Sequence, residues 1–141
     1  MGINDIITAI SIKLNQVFGD DIRIYADDIP QGFKAPAFFI LFLNLEQIQQ
    51  IGNRWRINTL FNVQYFPQNG RAEASNMSLK VQQALKEITL LNGTTMLSTN
   101  GNTEIVDGNA HNFINFNFFL QEIEAKEFMW SLEQRSKTTR G

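Results

Sequence analysis

Apolar and polar residues alternate over two long stretches between Gly32 and Pro67, and this alternation predicts two β-strands. From Ala37 onward both alternating sets are apolar, which is typical of a central strand. After the turn signal Gly52-Asn53, apolar positions alternate with Arg, Asn and Gln, which predicts a half-buried strand. Arms of about 12 to 14 residues, at about 3.3 Å per residue, give a hairpin of about 40 to 45 Å.

The outer half of this hairpin keeps apolar side chains that the core of a 141-residue chain can hardly cover. These side chains are Leu45, Ile48, Ile51, Trp55 and Ile57. A strand is usually about 17 to 20 Å long, so the hairpin is expected to project beyond the rest of the molecule. The pattern therefore predicts a long protruding β-hairpin whose apolar surface is covered by another subunit.

Two further segments place apolar residues at helical spacing, each followed by a glycine stop signal. The first consists of Ile3, Ile6, Ile7, Ile10, Leu14, Val17 and Phe18 before Gly19, and the second of Met77, Val81, Ala84, Leu85 and Ile88 before Asn92-Gly93. Each pattern predicts an amphipathic helix that packs one face against the core.

The remaining alternation predicts a short strand around Ile22 and Ile24 and a three-stranded meander near the C-terminus. The meander strands are 94–98, 102–106 and 111–122, with turns at Asn100-Gly101 and Asp107-Gly108. The resulting order, α-β-ββ-α-βββ, predicts an α+β fold in which two helices pack on one side of a mainly antiparallel sheet.

A change of composition near residue 124 divides the chain into a predicted α+β domain, 1–123, and a C-terminal arm or short helix, 124–141. The arm places Phe128, Met129, Trp130 and Leu132 among charged residues. Two interpretations stay open from the sequence: the arm packs on its own domain, or it docks on a neighbouring copy.

Composition narrows the function classes. The chain has no cysteine, which excludes thiol chemistry, and 43% hydrophobic residues, which predicts a folded core. A net charge of −2 with scattered basic residues argues against specific nucleic-acid binding. No segment has the signature of a secretory signal or of a membrane span, so we expect a soluble protein that is not exported.

Candidate chemistry is sparse, and no cofactor is expected. His111 is the only imidazole, and its nearest acids, Glu104 and Asp107, lie across a predicted turn, which explains their proximity without catalysis. Asp20-Asp21 and Asp27-Asp28 lack the spacing of a calcium loop and are typical of solvated turns. The sequence thus predicts a protein that is not an enzyme and holds no metal.

Four segments carry a family resemblance: the spaced pattern NDI..AI..KL...FGD at 4–20, GFKAPAFFI at 32–40, IGNRWR at 51–56 and FNVQYFP at 61–67. In their order and spacing they resemble the tail terminator, or tail completion, proteins of bacteriophages and prophages. The resemblance implies a homohexameric ring that caps the tail tube, ends tube polymerisation and offers a joining surface to the head-completion (connector) protein. It also implies assembly in the bacterial host cytoplasm and a place in the virion tail.

With that resemblance, the hairpin tip is the predicted contact with a neighbouring copy or with the tail tube protein. The candidate contact residues are Gln49, Ile51, Asn53, Arg54, Trp55, Arg56 and Ile57. Trp55 is the expected apolar anchor, and the two arginines are expected at the polar rim. The alternative interpretation is a small non-enzymatic binding or regulatory α+β domain of unknown ligand.

Overall fold

The computed structural model describes residues 2–26 and 29–121. Its helices and strands are α1 (Ile3–Phe18), β1 (Arg23–Ala26), β2 (Ala37–Gln50), β3 (Arg54–Phe66), α2 (Arg71–Ala84), β4 (Glu87–Thr89), β5 (Thr95–Val106) and β6 (Asn109–Gln121). This order confirms the predicted α+β fold. The proposed boundary between a domain at 1–123 and an arm at 124–141 lies outside the described residues. Neither described helix is long and apolar enough to cross a bilayer.

The strands form a six-stranded sheet within the described part of the chain, in the order β1-β2-β3-β6-β5-β4. Only β1 and β2 pair in parallel, and every other neighbouring pair is antiparallel. The β2-β3 hairpin has arms of 14 and 13 residues, as the alternation predicts. A register shift between Phe42 and Asn44 interrupts β2 near its middle.

Both helices pack on one face of the sheet, as predicted. Helix α1 begins where the Gly2 backbone N–H donates to the Asp5 carboxylate at 2.7 Å, and it ends at Gly19, whose φ is 84°. The buried core beneath the helices includes Ile6, Ile10, Leu14, Phe38, Ile40, Phe61, Val63, Val81, Leu85, Ile114 and Phe116. The alternate residues of the central strands therefore lie on the opposite face, which carries no helix among the described residues and is called the helix-free face below.

Aromatic rings cover the base of the helix-free face. Phe39 is 1% exposed there, stacked on Tyr25 at 5.1 Å between ring centroids. Phe33, from the loop before β2, meets Phe39 and Phe66 edge-on at 4.9 Å. This cluster explains why both faces of β2 are apolar at its base: each face lies against a separate apolar layer.

The structure corrects the sequence prediction between residues 85 and 106. Ile88, predicted on the second helix, lies in β4, because α2 ends at Ala84 and the Ser98 N–H donates to the Lys86 carbonyl. The predicted strands 94–98 and 102–106 are one strand, β5, and Asn100-Gly101 is not a turn. The register with β6 shifts between Ser98 and Asn100 instead.

The outer half of the hairpin is also better supported than the sequence suggests. Strand β6 pairs with β3 along its whole length, as far as the pair Arg54 and Gln121. The outer half is therefore three-stranded, and it does not stand as a free two-stranded ribbon. Ile57 is fully buried there, in a small cluster with Leu120 that is flanked by Ile3 from α1. Part of the apolar surface that we expected to need a partner is covered within the protomer.

A carboxylate at the start of α2 fastens the loop after β3 to the helix. Glu73 accepts hydrogen bonds from the Tyr65 hydroxyl at 2.6 Å and from the backbone N–H groups of Gln68 at 3.0 Å and Asn69 at 3.1 Å. The hydrogen bond from Tyr65, followed by those from the two backbone groups, holds the pKa of Glu73 below its ordinary value. Burial and this carboxylate raise the pKa of Tyr65.

This arrangement predicts a pH-dependent contribution to stability. Because the pKa of Glu73 is lower in the folded state than in the unfolded state, its contribution is present above its ordinary pKa of 4.5 and is lost as the pH falls further. We expect Glu73→Gln to lower the melting temperature at neutral pH and the deficit to shrink between about pH 5 and pH 3. Thermal unfolding of both proteins across that range checks this, and a constant deficit would contradict it.

Candidate assembly surface

The tip of the β2-β3 hairpin is a three-residue turn that presents one large apolar side chain to solvent. Gly52 and Asn53 both have positive φ values, 79° and 58°, a conformation that glycine and asparagine tolerate best. Ile51 directly precedes them and is 98% exposed. The turn thus holds an isoleucine clear of every described part of its own protomer, at the end of the sheet.

Beside the turn, the guanidinium group of Arg54 lies over an aromatic ring. Its guanidinium carbon is 3.8 Å from the ring centroid of Phe119, which is itself 48% exposed. Such a cation-π contact restrains the arginine and leaves its N–H groups available to an acceptor on another molecule. A pre-ordered arginine of this kind suits a contact surface because less side-chain entropy is lost on binding.

The other predicted tip residues differ in exposure. Gln49 and Asn53 are exposed, Trp55 and Arg56 are half-buried, and Ile57 is fully buried. Trp55 packs against the Ile57 and Leu120 cluster of its own protomer, so it contributes to folding as well as exposing surface. Ile57 has no exposed surface, and we leave it out of the contact set because it belongs to the core.

The outer half of β2 is an open sheet edge among the described residues. Strand β1 covers β2 only from Ala37 to Ile40, so the backbone from Phe42 to Gln50 has a described neighbour on one side alone. This edge contains no lysine or proline, the residues that most often prevent strand pairing between molecules. Phe42 and Leu43, at the register shift, are 38% and 44% exposed.

The helix-free face of the outer half is polar through amides. Asn58 and Asn117 are cross-strand partners there, and the Asn58 amide donates to the Glu46 carboxylate at 2.9 Å. Four buried polar atoms on this face lack a hydrogen-bond partner among the described residues: Arg56 Nε, Asn58 Oδ1, Asn62 Oδ1 and Asn117 Oδ1. Buried polar atoms are usually hydrogen-bonded in folded proteins, to protein groups or to ordered water.

Phe119 and the open edge of β2 were not singled out from the sequence. The sequence does contain a signal for Phe119, because it is an apolar residue on a strand face that also holds Asn115, Asn117 and Gln121. The sequence contains no signal for the open edge of β2. The part of β2 that β1 covers depends on pairing between the two strands, and the local alternation of apolar and polar residues does not determine it.

The side chains considered for chemistry lie in separate parts of the described structure. His111 lies directly across from Glu104 in the β5-β6 pair and shares a 3.4 Å contact with the Asn62 amide. No group of three or more acidic, histidine or cysteine residues in 2–26 and 29–121 could hold a metal ion. Asp27 and Asp28 lie outside the described residues. A groove of about 530 Å³ beside α2 and β5 is wide open to solvent.

These features define a class: a small α+β protein whose distinctive surface is a three-stranded hairpin tip suited to contact with other proteins. Comparison with known proteins agrees. The family model described as "Phage tail terminator protein" matches residues 5–127. The chain belongs to this family of phage tail terminators and is a structural component of a phage virion tail.

A solved structure shares the fold. A chain in the structure titled "Virion of native gene transfer agent (GTA) particle" aligns with a TM-score of 0.52 and 14% sequence identity, covering 84% of this chain and 96% of that one. The search among curated proteins gave no significant match. At this identity the structural similarity shows a common fold, and the family assignment depends on the family model.

Proposed function

We propose that this protein forms a homohexameric ring that caps the tail tube, ends tube polymerisation and presents the joining surface for the head-completion protein. The observation that carries the proposal is the match to the tail terminator family over residues 5–127. Assembly takes place in the cytoplasm of the bacterial host of a phage or prophage. The protein acts through binding rather than catalysis.

The ring requires a heterologous contact between copies, in which two different surfaces meet and the rotation closes. The hairpin tip supplies one of these surfaces. We define the tip surface as Gln49, Ile51, Asn53, Arg54, Trp55 and Arg56. Its exposed isoleucine and its two arginines have the composition of an interface, an apolar centre with polar groups around it.

Ile51 is the principal apolar anchor of the tip surface in this proposal, in place of Trp55. An apolar residue that is 98% exposed contributes nothing to folding, and its burial in a pocket of another subunit stabilises association by about 1.5–3 kcal/mol. The guanidinium groups of Arg54, which is restrained on Phe119, and of the half-buried Arg56 donate to acceptors on the neighbouring copy or on the tube.

Deletion of the gene from its phage or prophage tests the function. We expect particles with tails of uncontrolled length that lack heads, and we expect a plasmid copy of the gene to restore normal virions. Negative-stain electron microscopy measures both the distribution of tail lengths and the fraction of tails joined to heads. Normal virions from the deleted phage would overturn the proposal. Headless tails of normal length would support the proposed role in head joining and contradict the proposed role in ending tube polymerisation.

A further inference from the structure

The sheet has open backbone on both of its long edges among the described residues. On one side, β1 covers β2 only from Ala37 to Ile40, which leaves the outer half of β2 open. On the other side, β4 covers β5 only from Thr95 to Leu97, which leaves 100–106 open at the base of the sheet. Neither 42–50 nor 100–106 contains lysine or proline, the residues that most often block pairing between molecules.

The turn at Asp107-Gly108 determines which backbone groups of β5 face its open edge. Both turn residues have positive φ, 54° and 79°, so they form a two-residue turn whose flanking residues, Val106 and Asn109, hydrogen-bond to each other. In an antiparallel pair, bonding to the neighbouring strand alternates from residue to residue. On β5 the groups that point away from β6, toward the open edge, are therefore those of Gly101, Thr103 and Ile105.

The same alternation extends through β6 and β3 to β2, because no register shift interrupts the β3-β6 pair. Residues of β6 that bond to β5 alternate with residues that bond to β3, and β3 alternates in the same way between β6 and β2. The even-numbered residues of β3 from 54 to 60 therefore bond to β2. On β2 the groups that point to the open edge are those of Leu45, Gln47 and Gln49. The Gln49 carbonyl accepts a hydrogen bond from the Gln50 amide at 3.5 Å.

Side chains on the two open edges lie on matching faces. Leu45 packs on the small cluster that contains Ile57, and Ile105 packs against the main core beneath the helices. The Thr103 hydroxyl accepts a hydrogen bond from the Gln82 amide of α2 at 3.0 Å. Opposite residues of an antiparallel pair share one face, so joining these edges keeps the helices of both copies on the same side of the sheet.

We propose that the open edge of β2 in one copy pairs antiparallel with the open edge of β5 in the next copy. Strands β2, β3, β6 and β5 alternate in direction, so another β2 is the strand that continues the alternation. It lies in the groove of about 530 Å³ beside α2 and β5, which residues 97–103 line. The inference rests on the ring of the proposed function, and it names two surfaces that join the copies.

The offset between the two open edges agrees with a sheet that closes on itself. Leu45 shares a row with Phe116 and Thr103 shares one with Asn112, so pairing Leu45 with Thr103 shifts the next copy by four residues, and pairing it with Ile105 by six. At about 3.3 Å per residue the shift is about 13 or 20 Å, over four strands that are about 19 Å wide. The strands then tilt by about 35° or 46°, close to the tilt of about 35–45° in closed sheets. Because the unrelated lengths of β1 and β4 determine this offset, its agreement with ring closure favours a second copy as the partner.

Paired cysteines test the contact in tails from a phage that carries the variant gene, and the chain has no native cysteine. Glu46→Cys is combined in one chain with Asn102→Cys or with Glu104→Cys, one combination for each register. Within a protomer the two positions lie three strands, or about 14 Å, apart, which is too far for a disulfide. After oxidation we expect one combination to give a ladder of covalently linked copies. Its yield should be roughly tenfold above that of Glu46→Cys with Lys80→Cys, an exposed control on α2, because pairing raises the effective concentration of the thiols.

A missing ladder in both combinations, or a yield equal to that of the control, would overturn the proposal. This is the result expected if the chain's own C-terminal residues or the tube protein cover the edge of β2. Tails of normal length without a ladder would overturn the edge contact alone. Normal virions after deletion of the gene would instead overturn the capping function, so the two failures are distinguishable.

A proline substitution provides a second readout that does not depend on thiol geometry. The Gln47 N–H points to the open edge, where proline is tolerated in an isolated edge strand, so Gln47→Pro should leave the melting temperature of the purified protein nearly unchanged. In the chain that gives the ladder, it should lower the yield of linked copies severalfold. Gln47→Ala keeps the N–H and should give the full yield. An unchanged ladder with Gln47→Pro, or an equal loss with Gln47→Ala, would overturn pairing through the backbone.

Discussion

Replacing Ile51 with aspartate is expected to abolish ring assembly while leaving the protomer as stable as the parent. The side chain is 98% exposed, so its replacement should change the free energy of unfolding by less than about 0.5 kcal/mol. Aspartate is also well tolerated in turns, so the hairpin should keep its shape. At an interface the same change removes an apolar anchor and buries an unpaired carboxylate, at a cost of several kcal/mol. Because each 1.4 kcal/mol is about tenfold in affinity, association should weaken by at least about 100-fold.

Thermal unfolding of the purified variant and native mass spectrometry of its assembly state measure the two halves of this prediction. A phage that carries the variant gene should produce the same long, headless tails as the deletion. Leu91→Asp is the matched control, because Leu91 is 78% exposed in the β4-β5 turn and lies outside the tip surface. Normal assembly of Ile51→Asp, with or without loss of assembly in the control, would exclude Ile51 as the anchor.

The choice of Ile51 over Trp55 depends on a property that the sequence does not contain. Local alternation correctly predicts both arms of the hairpin and the face on which Trp55 and Ile57 lie. It does not predict how far β6 extends beside β3, and that extension determines which apolar residues are covered within the protomer. Ile57 is covered completely and Trp55 in part, whereas the turn residue Ile51 lies beyond the last strand pair.

The errors between residues 85 and 106 have a similar cause. Ile88 continues the helical spacing of α2, so periodicity assigns it to the helix, although it pairs with Met96 in β4. Asn100-Gly101 has the composition of a hairpin turn, and the same composition suits a bulge inside a strand. Asn100 and Gly101 instead pair with Asn115 and Ile114, directly after the register shift, and the Gln82 amide of α2 donates to the Asn102 carbonyl and the Thr103 hydroxyl, which holds this part of β5 against the helix. Contacts distant in sequence decide both cases.

The second large effect is expected at the centre of the core. Phe61 is completely buried in the middle of β3, with its ring 5.5 Å from Phe42 and 6.2 Å from Phe116 between centroids. Phe61→Ala removes these contacts and leaves a cavity beneath the helices, which should lower the free energy of unfolding by about 3–5 kcal/mol. Since a protein of this size is stable by only about 5–15 kcal/mol, a large share of its stability would be lost.

Leu60→Ala is the matched control for Phe61→Ala, because Leu60 is the preceding residue and lies half-buried on the helix-free face. It should cost about 1 kcal/mol, the typical value for a single substitution. Urea unfolding measures both variants, and the slope against urea should stay unchanged if the same surface is exposed in each. A loss below about 1 kcal/mol for Phe61→Ala would contradict the position of the core.

The tip surface works only if this core holds the three outer strands in place. Phe61→Ala should therefore also reduce tail termination, and lowering the growth temperature should restore it. Ile51→Asp should fail at every temperature, because it damages the contact and not the fold that carries it.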